Sequence, residues 1–275
     1  MSLAVAVTTR LWLLGQGIEH SPSPAMHNAA LRACGLDWEY SIRDVAPGEV
    51  RDVVDELRAG RAVGCNVTIP HKRAVAALCD SLQSDAASTG SVNTVVRGDD
   101  GALTGHNTDA RGFESALRHD GLWPEAGTAA LVLGAGGAAA AVVLALSRAG
   151  IRVAQSARRR EAAGARIPFV AWERHAVLDA LAGPVPALLV NATPAALGDL
   201  PVDVAALPDT TTVVDLRYRY GPDDLVPAAR ARGLRAAGGL EMLLQQAMLS
   251  FTLWTGLDAP ADVARRALHA AVGAG

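Results

Sequence analysis

The sequence predicts an α/β protein of about two domains, the later one built on a parallel sheet covered by helices on both faces. Three observations predict it. The chain has 275 residues, a length that suits about two domains and a core large enough to fold without disulfide or metal staples. From about Thr128 onward, short runs of Val, Leu and Ile alternate with helical stretches, as strands of a doubly covered parallel sheet do. Between the first of those runs and the next helix stands a glycine-rich turn that opens at Gly134.

The first part of the chain alternates in the same way. The opening MSLAVAVTTRLWLLG is apolar but has no basic leader and no small-residue cleavage site, so residues 11–14 are expected to form a buried first strand. A helix is expected over 25–34, closed by Gly35, with Ser23 as its N-cap and Pro24 at the first helical position. Residues 39–43 read as extended and 47–59 as helical, with Gly60 as the stop. An apolar strand over 62–68 ends at Pro70, and a helix then runs through Val75 and Leu78. Residues 93–97 and 102–105, joined across Asp99, Asp100 and Gly101, read as a hairpin or a paired loop.

In the later part, strands are expected at 128–134, 151–155, 187–190 and 212–215, with helices at 138–148 and 228–232. Residues 127–147 are uncharged and long enough to cross a membrane, but the glycine-rich middle and the change of period there suit a strand turning into a helix. After Gly238 and Gly239, two amphipathic helices are expected, at 241–254 and 261–271.

Composition narrows the function. The chain is half hydrophobic and 19% charged, with a net charge of -3 and a pI near 6.2. That excludes a disordered or collagenous chain, and the lack of a basic block argues against a nucleic-acid partner. Cys34, Cys65 and Cys79 are odd in number and widely spaced, which indicates neither a zinc site nor a disulfide framework and fits a reducing cytoplasm. No metal site and no membrane partner are expected. Of the 25 basic residues only Lys72 is a lysine.

Gly134, Gly136 and Ala139 satisfy GxGxx(G/A) directly after a strand and at the start of a helix. Glycines there let the backbone approach a pyrophosphate, and the helix N-terminus offers it free N–H groups. Where an NAD enzyme carries an acid for the ribose hydroxyls, this chain reads Gln155, Ser156, Ala157, Arg158, Arg159, Arg160. Three arginines and no acid favour a phosphorylated ribose, hence NADP, with NAD as the open alternative.

Further clusters hold more small polar residues than a core needs: HSPSPAMHN, GCNVTIPHK, SVNTV and GHNTDARGF. Each alone has a bland reading as a cap, a strand end or an Asx turn. Together with GAGGA, NATP and GLEMLLQQ, in this order and spacing, they resemble the shikimate dehydrogenase family across nearly the whole chain.

The resemblance implies a two-lobed α/β enzyme with its active site in the cleft. Its N-terminal α/β substrate lobe would comprise 1–111 with 239–275, and a Rossmann-type doubly wound NADP-binding lobe 112–238. It implies Lys72 and Asp109 as the catalytic pair, Ser21 and Ser23 at the substrate carboxylate, and Thr68, Asn93 and Gln246 at the ring hydroxyls, with Asn66 nearby and Tyr218 on the cofactor side of the substrate. Gln246, and not Gln245, keeps the family's spacing from Met242 and Leu243. On the cofactor it places Gly134, Ala135, Gly136, Gly137, Ala138, Ser156, Arg158, Arg159, Asn191, Thr193, Gly239 and Met242. Ser156, Ala157 and Arg158 stand where NADP-using members carry Asn-Arg-Thr, so Arg158 or Arg159 would replace that arginine from a shifted position.

The implied reaction is the reversible reduction of 3-dehydroshikimate to shikimate by NADPH in a cytoplasmic monomer or homodimer. Lys72 would be the proton donor, because partial burial brings a lysine pKa toward neutrality whereas arginine stays protonated. Three other readings remain open: a quinate/shikimate or aminoshikimate dehydrogenase, a methylenetetrahydrofolate dehydrogenase, against which the HSxSP and NTD clusters argue, and a non-catalytic paralogue that only binds nucleotide or metabolite.

Overall fold

The computed structural model describes residues 9–160, 163, 167–183, 185–219 and 221–273. The reading of the first eight residues lies outside them. Two units are present: one runs to Thr108 and resumes at Gln246, the other spans Asp109–Gln245.

In the first unit the apolar run LWLL lies in β1 (Thr9–Gly15), which is followed by α1 (Ser23–Ala33) and β2 (Trp38–Asp44). A short 3-10 turn at Pro47–Glu49 leads into α2 (Val50–Arg58). Then come β3 (Gly64–Val67), α3 (Lys72–Ala76), β4 (Ser81–Leu82), α4 (Ser84–Thr89), β5 (Thr94–Arg97) and β6 (Leu103–His106). The sheet order is β2-β1-β3-β5-β6-β4. β1 is parallel to both β2 and β3, whereas β5 is antiparallel to β3 and to β6. The paired segments around Gly101 are therefore a hairpin.

Helix α2 is amphipathic by spacing: Val50, Val53, Val54 and Leu57 recur at i, i+3, i+4 and i+7 and pack on Trp12, Leu14, Cys65 and Val67 of the sheet. Three expectations change here. Ser23 is not the N-cap of α1; the helix already begins at Ser23, Pro22 occupies the cap position and no side chain caps it. The strand expected over 62–68 keeps only Gly64–Val67 in the sheet, and the helix expected through Leu78 ends at Ala76. The brief β4 and α4 carry too few apolar residues to show a period.

The second unit begins with α5 (Asp109–His119). It continues through β7 (Ala129–Leu133), α6 (Gly137–Arg148), β8 (Arg152–Ser156), β9 (Phe169–Val170), α7 (Arg174–Leu181), β10 (Ala187–Asn191), β11 (Thr211–Asp215), α8 (Leu225–Ala231) and β12 (Ala236–Gly238). All pairings in the sheet β12-β11-β10-β7-β8-β9 are parallel. Alternate residues of its central strands enter opposite cores. Ala130, Val132, Leu188 and Val190 pack with Phe113 of α5 and Val142 and Leu146 of α6; Leu131, Leu133 and Leu189 pack with Val177 and Leu181 of α7 and Leu225 of α8. This double burial is the physical reason for the continuous Val/Leu runs. Residues 127–147 are divided between β7 and α6, and among the described residues no helix is long and apolar enough to cross a membrane.

Two last helices, α9 (Leu240–Thr255) and α10 (Ala261–Gly273), follow, and α10 packs on α1. The unit limits differ from 111/112 and 238/239 for a packing reason. Helix α5 starts at Asp109 and puts Ala110 and Phe113 into the second core, and the first turn of α9 puts Met242 there as well.

Candidate active site

The glycine-rich turn is shaped by the backbone. Gly134 has φ +117°, a region closed to other residues, and a Cβ there would stand 3.0 Å from the Ala192 carbonyl oxygen. Its N–H donates to the Ser156 carbonyl at 2.8 Å, and its carbonyl accepts from Gln155 Nε2 at 2.7 Å. Gln155, standing where an acid was sought, thus fixes the turn. At Gly136 a Cβ would meet no protein atom within 4 Å; this glycine keeps the backbone open to whatever approaches. Helix α6 starts at Gly137 with Gly136 as N-cap and no side-chain cap, so side chains do not compete for its first N–H groups. Ala138 lies in that first turn.

A cavity of about 490 Å³ opens at this turn. Gly134, Ala135 and Gly136 line it together with Arg158, Arg159 and Thr193, so six of the expected cofactor residues share one space. Trp172 and Asp199 line it too. Both escaped sequence reasoning, since neither lies in a recognisable motif.

Other expected cofactor residues stand behind the cavity. Ser156 is fully buried and its hydroxyl donates to the Ala171 carbonyl at 3.2 Å. Asn191 is also fully buried; its Oδ1 accepts from Thr193 N at 3.0 Å and Thr193 Oγ1 at 2.7 Å, while Nδ2 donates to Asp215 Oδ1 at 3.0 Å. Asp215 in turn pairs with Arg217 at 2.8 Å, and Arg217 with Asp224 at 2.5 Å. Asp224 Oδ1 accepts from Leu197 N at 2.9 Å and Leu225 N at 3.0 Å. Burial pushes the Asp224 carboxyl up, but the Arg217 guanidinium and the two N–H donors outweigh it and leave its pKa below the ordinary value. Gly239 is glycine for packing: a Cβ would lie 1.9 Å from the Leu216 carbonyl oxygen. Met242 is buried in the second unit's core. Tyr218 is half-buried, and that burial raises its pKa.

In the first unit, Ser21 and Ser23 are neighbours: Ser21 Oγ accepts from Ser23 N at 3.3 Å and lies 3.2 Å from Ser23 Oγ. Thr68 follows β3 and donates its N–H to Leu14 O at 2.8 Å. Asn66, Asn93 and Gln246 belong to one polar cluster. Asn66 Oδ1 accepts from Tyr40 OH at 2.8 Å, and its Nδ2 donates to Asn93 O at 3.0 Å. Asn93 Nδ2 donates to Thr108 Oγ1 at 2.8 Å and to Gln246 Oε1 at 3.3 Å. Gln245, by contrast, donates to Glu241 at 2.7 Å along its own helix, so the choice between adjacent glutamines follows the helical face.

Lys72 is the first residue of α3 and half-buried, and its carbonyl accepts from Val92 N at 3.0 Å. The preceding His71 is buried and its Nε2 lies 2.7 Å from Val45 O, which pins the strand-to-helix connection that presents the lysine. Asp109 is the buried first residue of α5. Among the described residues no group of three or more His, Cys, Asp or Glu side chains is placed to hold a metal ion.

Comparison with known proteins gives a consistent result. Residues 13–95 match the shikimate dehydrogenase substrate binding domain, and residues 239–269 match the shikimate 5'-dehydrogenase C-terminal domain. The shikimate dehydrogenase (NADP(+)) of Methylobacterium radiotolerans is 43% identical over 265 residues, covering 90% of this chain and 92% of the relative. That of Rubrobacter xylanophilus is 43% identical over 272 residues, covering 95% of each. The crystal structure of shikimate 5-dehydrogenase from Thermus thermophilus in complex with NADP(H) and shikimate has a TM-score of 0.85 and 36% identity, covering 96% of this chain and 100% of that one.

Proposed function

The chain belongs to the shikimate dehydrogenase family, and from that premise we infer that it catalyses the NADP-dependent, reversible reduction of 3-dehydroshikimate to shikimate. The observation that carries the coenzyme assignment is the pair Arg158 and Arg159 on the cavity that opens at the Gly134 turn. A dinucleotide fits the residues present: Gly136 leaves the backbone open, the first turn of α6 has no side-chain cap, and two guanidiniums line the same space as the glycines.

NADPH, when bound, supplies the hydride that reduces C3. Lys72 delivers an ammonium proton to the C3 oxygen, and in the reverse direction its neutral amine takes the proton from the hydroxyl. Asp109 is the second catalytic group. Ser21 and Ser23 receive the substrate carboxylate; Thr68, Asn93 and Gln246 bind the ring hydroxyls, with Tyr218 beside the substrate. Asn66, Asn191 and Ser156 contribute by orienting neighbours, since their side chains are engaged inside the fold. The first unit takes the substrate and the second the coenzyme. Cys34, Cys65 and Cys79 are all free, which supports a reducing, cytoplasmic setting, and size-exclusion chromatography distinguishes the monomer from the homodimer.

Initial rates followed by nicotinamide absorbance test the reading, with shikimate or quinate and NADP or NAD in all four combinations. The expected outcome is the highest kcat/KM for shikimate with NADP. A preference for quinate would move the substrate assignment, a preference for NAD the coenzyme, and no turnover with intact NADP binding would make the chain a non-catalytic paralogue.

A further inference from the structure

Ser250 lies one helical turn beyond Gln246 on α9 and is completely buried. Its hydroxyl is the meeting point of four segments. Asn66 Nδ2 of β3 donates to it at 3.1 Å; Thr94 Oγ1 of β5 lies 2.7 Å away; Thr108 Oγ1 lies 3.4 Å away; and Ser250 Oγ is 3.0 Å from the carbonyl oxygen of Gln246 in its own helix.

Hydrogen bookkeeping orients the Asn93 amide beside these contacts. Thr108 N can only donate, and it does so to Asn93 Oδ1 at 2.9 Å. That fixes which end of the Asn93 amide is oxygen and points Nδ2 at Thr108 Oγ1 and Gln246 Oε1. Thr94 Oγ1 lies 3.0 Å from the same Asn93 Oδ1, which can accept its single proton. At the 2.7 Å contact either hydroxyl can be the donor: Ser250 donates to Thr94 when Thr94 turns to Asn93 Oδ1, and Thr94 donates to Ser250 when Ser250 turns to the Gln246 carbonyl. In either arrangement Asn66 Nδ2, Ser250 and Thr94 form one run of contacts that ends at Asn93 Oδ1. A chain of this kind in a buried site fixes orientation at every member.

We propose that Ser250 is the positioning residue for the ring-hydroxyl face of the substrate site: through Thr94 it locks the Asn93 amide, and through Asn93 it orients Gln246. The proposal rests on the function inferred above. Its complete burial keeps Ser250 itself off the substrate. A serine also serves this place for a local reason, since its short side chain can turn back to the carbonyl four residues earlier.

Steady-state kinetics of Ser250→Ala and of Thr94→Val, which breaks the same chain from the other end, test it. Each variant is expected to raise the KM for shikimate about three- to tenfold, the worth of one net hydrogen bond. The kcat should stay within about twofold and the KM for NADP should not move. The double variant should cost no more than the larger single one, because both remove the same link. If Ser250→Ala fails to fold, Thr94→Val carries the same readout, being close to its parent in shape. An unchanged shikimate KM in the variants, or equal losses for shikimate and NADP, overturns the positioning role. A parent enzyme that does not turn over shikimate overturns the functional reading and this inference together, so an active parent with silent variants isolates the fault to Ser250.

Discussion

At the scale of single residues the proposed chemistry rests on a difference between two cations. A lysine ammonium can give up its proton during a reaction, whereas an arginine guanidinium holds its own under all working conditions. This chain uses arginine for 24 of its 25 basic residues and keeps one lysine, at the head of α3. Lys72→Arg is therefore expected to keep the charge and lose the reaction: kcat should fall by about a hundred- to ten-thousandfold, the usual worth of a positioned proton donor, while the KM for shikimate stays within a few-fold. Retention of most of the parent kcat in a stopped-flow or steady-state assay would reduce Lys72 to an electrostatic role. The pairing of Asn93 with Gln246 joins two motifs that the sequence spells separately. The direction of each amide is not spelled, since it depends on Thr108 N and Thr94, which sequence spacing cannot orient.

At the scale of elements, three segments behind the cavity at the Gly134 turn are joined by a clasp. Asn191 at the end of β10 ties to Asp215 at the end of β11, Arg217 bridges Asp215 to Asp224, and Asp224 caps α8 while holding Leu197 N. Removing Arg217 leaves the fully buried Asp215 beside a second carboxylate with no cation between them. Arg217→Met should cost about 3–5 kcal/mol of stability, read as a lower urea midpoint, and should weaken NADP more than shikimate. A midpoint equal to the parent's would show that the clasp is ornamental. Strands β7 and β10 were readable because burial on both faces forces runs of Ala, Val and Leu. The clasp was not, as its bonded partners stand up to 27 residues apart in the chain. Helix α5 was overlooked although Ala110, Phe113, Ala116 and Leu117 recur with helical period, because its first residues were read only as a site motif.

At the scale of the molecule, His27 is one contributor to the pH dependence of stability. The ring is fully buried, stacked on Tyr40 with centroids 4.3 Å apart, and among the described residues neither nitrogen has a hydrogen-bond partner. Burial drives its pKa from 6.5 down to about 3, against a smaller upward pull from Asn66. Below pH 6.5 the unfolded chain binds a proton that the folded chain refuses, so stability falls as the pH is lowered through that window and levels off near pH 3. Between about pH 6.5 and pH 4 the loss from this one group is about 3 kcal/mol. His27→Phe, which keeps the stacked ring, should show a shallower decline in urea midpoint between about pH 7 and pH 4; parallel declines would remove His27 from the account. The single lysine has a last consequence at this scale. A lysine-directed endoprotease finds one bond to cut, Lys72–Arg73, and that bond is wound into the first turn of α3 with the Lys72 carbonyl held by Val92 N. Cleavage then yields just two fragments, 1–72 and 73–275, and its rate is a clock for how often the start of α3 comes undone.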